Sequence, residues 1–74
     1  MLRKIKDLDE RINTGTTAEW QSKGGIRYRW ERAMGRVGVE SPPGSMIWDW
    51  LHHDVKDIRA ARRIVFDAIN DDEI

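Results

Sequence analysis

Residues 26–31 alternate strictly between apolar and charged side chains, and this short pattern constrains the fold more than any other feature of the sequence. The alternation runs through Ile26, Arg27, Tyr28, Arg29, Trp30 and Glu31. Successive side chains of a strand point to opposite faces of a sheet, so the pattern predicts a half-buried β-strand.

The preceding residues predict the first strand and the turn of a hairpin, with the strand at 17–21 and the turn at 22–25. The alternative is a helix that opens on a capping box at 16–19. Gly24 and Gly25 would then lie inside the helix, at a cost of about 1 kcal/mol each relative to alanine, so the hairpin is favoured.

The hairpin also predicts which side chains share a face. Ala18 and Trp20 would lie on the apolar face, because they are two residues apart. Glu19 would lie on the opposite face, close to Arg27 or Arg29.

The N-terminal segment has the spacing of an amphipathic helix. Its apolar side chains recur every three or four residues, at Leu2, Ile5, Leu8 and Ile12. The helix would end at Asn13-Thr14-Gly15, where glycine is a common C-terminal stop.

Residues 35–45 contain three glycines and two prolines and predict an irregular connection. From Met46 to Ile69 the apolar residues follow a helical period. A continuous helix of that length would extend about 36 Å, too long for so small a domain. We therefore expect one bent helix or two consecutive helices with a break near Asp54, and a frayed acidic tail at 70–74.

Together these elements predict a single small α+β domain over residues 1–74. It would consist of an N-terminal helix, a β-hairpin, an irregular Gly/Pro connection and one bent or two consecutive C-terminal helices. An all-α bundle is the alternative if residues 17–32 are helical.

The charge of the 74-residue chain is zero overall but unevenly distributed. Residues 1–36 carry nine Lys/Arg and five Asp/Glu, whereas residues 37–74 carry four and eight. A DNA mimic should be acidic throughout and a nonspecific nucleic-acid coat basic throughout, so this balance argues against both classes.

Catalytic and metal-binding motifs are missing from the sequence. There is no cysteine, no nucleophile elbow, no Walker loop and no dinucleotide fingerprint. Asp49, His53 and Asp57 have i, i+4, i+8 spacing, but three ligands on one exposed helix face make a weak metal pattern. We expect no enzyme activity, no cofactor and no metal.

The chain has no apolar run long enough to cross a membrane, and its first six residues are too charged for a signal peptide. We therefore expect a cytoplasmic protein with no membrane partner.

Tryptophan and arginine offer the best candidates for partner contact, because these residue types dominate interface hot spots. Most of the four tryptophans should form the core, with Trp48 or Trp50 partly exposed. Arg62 falls inside the apolar stripe of the C-terminal helix, where it needs a carboxylate partner or water. The predicted partner-binding residues are Arg27, Arg29, Trp48, Trp50, Arg59, Arg62 and Arg63.

The order of a helix, Thr14-Gly15, a charged hairpin around Lys23-Gly24-Gly25 and a further helix resembles the small head–tail joining proteins of tailed phages. The resemblance covers less than half of the chain, and the Gly/Pro-rich connection at 35–45 departs from it. No site residue is transferred on this basis.

The function that these features predict is non-catalytic binding. The protein would dock on a larger protein or nucleoprotein complex and modulate it, as a phage-type or bacterial accessory or inhibitor protein does. The alternative is a small nucleic-acid-binding regulator that uses the basic N-terminal half. A third class is a virion or self-assembling structural component, and a homodimer is compatible with all three.

Overall fold

The computed structural model describes residues 3–72, which form an antiparallel sheet of five strands and one C-terminal helix. A short 3-10 turn, Ile5–Asp7, precedes the sheet. The strands are β1 (Asp9–Asn13), β2 (Thr17–Gln21), β3 (Arg27–Glu31), β4 (Arg36–Glu40) and β5 (Trp48–His52), and the helix is α1 (Ile58–Asp72). Each strand pairs with the next in the chain, so β1 and β5 are the edges.

The predicted fold class is wrong, in both its main form and its all-α alternative. The described residues contain no N-terminal helix and no pair of C-terminal helices. The element order behind the resemblance to head–tail joining proteins is therefore absent as well.

The predicted N-terminal helix is replaced by the 3-10 turn and β1. Residues 9–13 pair with β2, with a register irregularity between Glu10 and Ile12. A short isolated helix is marginal in water, whereas β1 gains a partner strand for its backbone groups. Leu2, the first apolar residue of the predicted helix, lies outside the described residues.

The predicted strand pair over 17–32 is confirmed. Thr17 lies opposite Glu31 and Gln21 opposite Arg27, and the turn closes where Gly25 N–H donates to the carbonyl of Ser22 at 3.0 Å. Glu19 lies opposite Arg29, on the face predicted for it.

The predicted irregular connection at 35–45 contains strand β4. Gly38 is not a loop glycine: it pairs with Arg29 on one side and with Trp50 on the other. A side chain at this position would meet the Trp50 ring, since an added Cβ would lie 2.6 Å from Trp50 Cε3. The glycine therefore permits a close approach within the sheet.

The predicted helix from Met46 to Ile69 is wrong in its first half, which forms β5. The chain does break at Asp54, which has a φ of 65°. The helix starts only after Asp57, whose side chain accepts a hydrogen bond from Arg59 N–H at 2.8 Å and caps the first turn.

One face of the sheet packs against α1 and forms the apolar core. Trp20 and Trp30 are fully buried there, and each satisfies its indole N–H: Trp20 donates to Glu10 and Trp30 to the carbonyl of Val55. The buried core residues are Ala18, Trp20, Tyr28, Trp30, Val37, Val55, Ala61, Val65 and Ile69.

The predictions of a frayed C-terminal tail and of a single domain are not tested by the structure. The helix α1 continues through Asp72, while Glu73 and Ile74, the rest of the predicted frayed tail at 70–74, lie outside the described residues. The assignment of residues 1–74 to one domain is likewise a prediction.

Over residues 3–72, no helix is both long and apolar enough to span a lipid bilayer.

Candidate interaction surface

The sheet face opposite α1, which we call the open sheet face, has polar and aromatic side chains instead of apolar ones. Cross-strand rows build it: Glu19, Arg29, Gly38 and Trp50 lie side by side on β2, β3, β4 and β5. Its residues are Glu19, Arg27, Arg29, Glu31, Arg36, Gly38, Glu40, Trp48 and Trp50.

Trp48 and Trp50 are the large apolar groups of this face. Both are half-buried, and their rings stack with centroids 6.2 Å apart and planes 27° apart. On a helix they would project in nearly opposite directions, but alternation along β5 puts both on the same side of the sheet. The strand conformation therefore brings the two rings together, whereas a helix over the same residues would hold them apart.

Arginine side chains pack against both rings. The Arg36 guanidinium carbon lies 3.6 Å from the Trp50 ring centroid. Those of Arg27 and Arg29 lie 5.5 and 5.8 Å from the Trp48 ring centroid. A cation over an indole face is attracted by the ring quadrupole, so these contacts help to fix the orientation of both indoles.

The same arginines are paired with carboxylates along the face. Arg29 bonds both Glu19 and Glu31, and Arg36 donates to Glu31 at 2.7 Å. Burial raises the pKa of Glu31, but the hydrogen bonds from Arg36 and Arg29 outweigh it, and the net shift of the pKa is downward.

Glu40 joins the network to the loop before β5. Its carboxylate accepts from Gly44 N–H at 2.8 Å, Met46 N–H at 3.0 Å and Arg27 at 3.1 Å, and the residue is only 3% exposed. The hydrogen bond from Gly44, followed by those from Met46 and Arg27, lowers the pKa of Glu40. Glu40 therefore orders the loop that leads into Trp48.

The charges on the open sheet face cancel. Its three arginines, Arg27, Arg29 and Arg36, are matched by three glutamates, each of which contacts at least one arginine. The glutamates occupy part of the hydrogen-bonding capacity of these guanidinium groups, and their negative charges disfavour the approach of a phosphate backbone.

The predicted contact residues separate into two groups. Arg27, Arg29, Trp48 and Trp50 come together on the open sheet face. Arg59, Arg62 and Arg63 lie on α1 and are not brought to that face.

Arg62 has the carboxylate partner that its position in the apolar stripe requires. It donates to both oxygens of Glu10, at 2.9 and 3.1 Å, and Glu10 also accepts the Trp20 indole N–H at 2.8 Å. The hydrogen bond from Arg62 is the main reason that the pKa of Glu10 is lowered, and the same bond raises the pKa of Arg62. This contact ties α1 to β1.

Arg59 and Arg63 are exposed on α1. Arg63 lies 3.5 Å from Asp67, one turn further along the helix, and over the ring of Phe66. Both residues remain predicted contact residues, separate from the open sheet face.

The sequence does not reveal Arg36 and Glu40 as members of the surface, because the glycines and prolines of residues 35–45 predict a connection there. The period of two in Arg36-Val37-Gly38-Val39-Glu40 was the available signal for a strand. Met46, Ile47 and Leu51, which lie in or just before β5, are exposed apolar residues that the sequence does not predict as contacts.

The metal pattern considered for Asp49, His53 and Asp57 depended on a helix that is not there. Asp49 lies in β5 and Asp57 caps α1, so the three do not stack on one helix face. Within the described part of the chain, no three His, Cys, Asp or Glu residues are grouped so that they could hold a metal ion.

The chain was compared with protein-family models, curated proteins and solved structures. None of them matches.

Proposed function

We propose that this protein is a non-catalytic binding protein that docks through its open sheet face on a protein component of a larger complex. The observation that supports the proposal is the stacked, half-exposed pair of Trp48 and Trp50 on the sheet face that α1 leaves uncovered. Such a role suits an accessory or inhibitor protein.

The aromatic pair has the properties of an interface anchor. Trp and Arg are enriched among residues that dominate binding energy, and rigid side chains lose little entropy when a partner binds. Here Arg36 stacks on Trp50, while Gly38 lets the Trp50 ring approach the sheet closely. The rings are held before any partner arrives.

A protein partner fits this face better than a nucleic acid does. Nucleic-acid affinity comes largely from unpaired cations that replace counterions on phosphates. The arginines of the open sheet face are paired with glutamates, and Arg36 occupies a ring face on which a base would stack. A neutral aromatic surface is typical of protein contacts.

The test is affinity capture from the organism that encodes the chain, with the tagged wild type compared with Trp48→Ala and Asp67→Ala. Trp48→Ala removes half of the stacked pair, so recovery of the specific partner should fall by about tenfold or more. Asp67→Ala changes an exposed residue of α1 that is not a predicted contact residue, and it should leave recovery unchanged. Urea unfolding followed by tryptophan fluorescence verifies that both variants fold.

Salt and nuclease separate the two classes of partner. A protein partner should survive nuclease treatment and change little between about 50 and 200 mM salt, a range over which a phosphate-driven complex weakens steeply. Capture that nuclease abolishes would overturn the proposal in favour of nucleic-acid binding. Equal recovery with a folded Trp48→Ala variant would show that the open sheet face is not the contact surface.

A further inference from the structure

The two edge strands of the sheet differ in how well they are protected against pairing with another strand. All five residues of β1 are exposed, and Asp9, Glu10 and Arg11 place charges along it. On β5 the only charged residue is Asp49, which stands between two tryptophans. Edge strands present unpaired backbone groups, and charged side chains are a common means of blocking their association. The edge strand β5 is therefore the less protected of the two.

Exposed apolar side chains accumulate at the same edge. Among residues 3–72, five large hydrophobic residues are exposed, and three of them lie in or just before β5. These three are Met46 (73% exposed), Ile47 (64%) and Leu51 (43%). Clustered apolar exposure next to an unprotected edge points to an interface.

We propose that β5 pairs antiparallel with β5 of a second copy, about a two-fold axis at Trp50, and joins the two sheets into one. In this register Trp50 lies opposite its own counterpart. Asp49 lies opposite the second copy's Leu51, and Trp48 opposite the second copy's His52. No two like charges face each other, so the strand is complementary to itself.

Charge excludes one competing register and disfavours the other edge strand as a partner. A two-fold axis at Asp49 would set two carboxylates face to face, which is unfavourable. Pairing of β5 with β1 of another copy would put apolar side chains against Asp9, Glu10 and Arg11, and each such pair of chains would leave one β5 edge unpaired. The pairing of β5 with β5 avoids both penalties.

The dimer would enlarge the open sheet face, since joined sheets place both copies' Trp48 and Trp50 along one continuous surface. The inference rests on the strand edge and not on the proposed docking function. Either can therefore fail without the other.

Sedimentation equilibrium of the purified chain tests the proposal, with protein from about 10 µM to about 1 mM, the range expected for a small interface. The wild type should move from its monomer mass of 8.7 kDa towards twice that mass. Leu51→Glu adds a carboxylate opposite the second copy's Asp49, twice per dimer, and should weaken association by about tenfold. Leu51→Lys offers Asp49 an opposite charge and should keep the dimer.

The matched control is Ile12→Glu, because Ile12 is 42% exposed and lies on the other edge strand. It should leave the dimer intact. A wild type that stays monomeric at about 1 mM would overturn the proposal. Two other results would also overturn it. In the first, Ile12→Glu dissociates the dimer and Leu51→Glu does not. In the second, Leu51→Lys and Leu51→Glu dissociate the dimer equally, because association would then not depend on this register.

Discussion

At the scale of single residues, Gly38 shows how one missing side chain shapes the open sheet face. The Trp50 ring crosses β4 at this position, and an added Cβ would approach Trp50 Cε3 to 2.6 Å and the Asp49 carbonyl oxygen to 3.0 Å. Real Cβ atoms do not come so close to a neighbour, so a larger residue would push the indole off the sheet. The orientation of Trp50, and with it the stack on Trp48, depends on this glycine.

Gly38→Ala should destabilise the fold by about 1–3 kcal/mol, the usual cost of an added methyl group in a filled space. Gly24→Ala is the control, because a Cβ there would meet only Ser22 Oγ, at 3.8 Å. Urea denaturation monitored by tryptophan fluorescence measures both. The interpretation fails if the two variants lose equal stability.

At the scale of elements, the structure explains why the C-terminal helix begins where it does. Asp57 supplies the cap for the first turn, and Val55, just before it, gives its carbonyl to the buried Trp30 indole at 2.7 Å. The Val55 N–H bonds Gly35 at 2.7 Å, which fixes the segment against the start of β4. These contacts hold the chain after β5 in a non-helical path.

Asp57→Ala should cost about 1 kcal/mol, because Arg59 N–H would lose its acceptor at the helix start. Asp67→Ala should change stability by less than about 0.5 kcal/mol, since Asp67 makes only an exposed pair with Arg63. Thermal unfolding by circular dichroism compares the two. Equal losses would mean that Asp57 does not act as a cap.

The helix predicted from Met46 onward is wrong over residues 48–52 because the spacing of the apolar residues there is ambiguous. Trp48, Trp50 and Leu51 fit a helical stripe together with Ile58 and Val65, but Trp48 and Trp50 fit a period of two equally well. Local spacing could not choose between the two forms. The choice is made by β4, whose free edge pairs with residues 48–52.

At the scale of the whole molecule, the fold ties glutamates on both faces of the sheet to arginines. Glu10 pairs with Arg62 on α1, while Glu31 and Glu40 pair with arginines on the open sheet face. Hydrogen bonds to arginine or to backbone N–H groups lower the pKa of each of the three carboxyls. Both faces of the sheet are thus stabilised by ionised glutamates.

The sign of the pH dependence follows from these lowered pKa values. As the pH falls, these carboxyl groups take up protons in the unfolded chain before they do so in the folded protein. Their contribution to the free energy of unfolding is therefore complete above about pH 5, and it is lost as the pH falls through their folded pKa values. The free energy of unfolding should therefore drop between about pH 5 and pH 3.

Glu31→Gln should reduce that acid dependence, because it removes one of the shifted carboxyls. Its stability deficit relative to the wild type, about 1 kcal/mol at pH 7, should shrink at pH 3. Asp67→Asn, which changes an exposed pair, serves as the control. Urea midpoints at several pH values give the comparison, and a deficit that is constant with pH would contradict the argument.

The sequence by itself determined the β2–β3 pair, the position of Glu19 opposite Arg29 and the need of Arg62 for a partner. These features follow from local signals: a period of two, a glycine turn and a charge in an apolar stripe. Each can be interpreted from residues that are close together in the sequence. Only the tertiary structure decided that residues 9–13, 36–40 and 48–52 are strands and that Trp48 and Trp50 stack on an uncovered sheet face. A strand needs a partner distant in the chain to satisfy its backbone hydrogen bonds, and one segment's spacing does not reveal that partner.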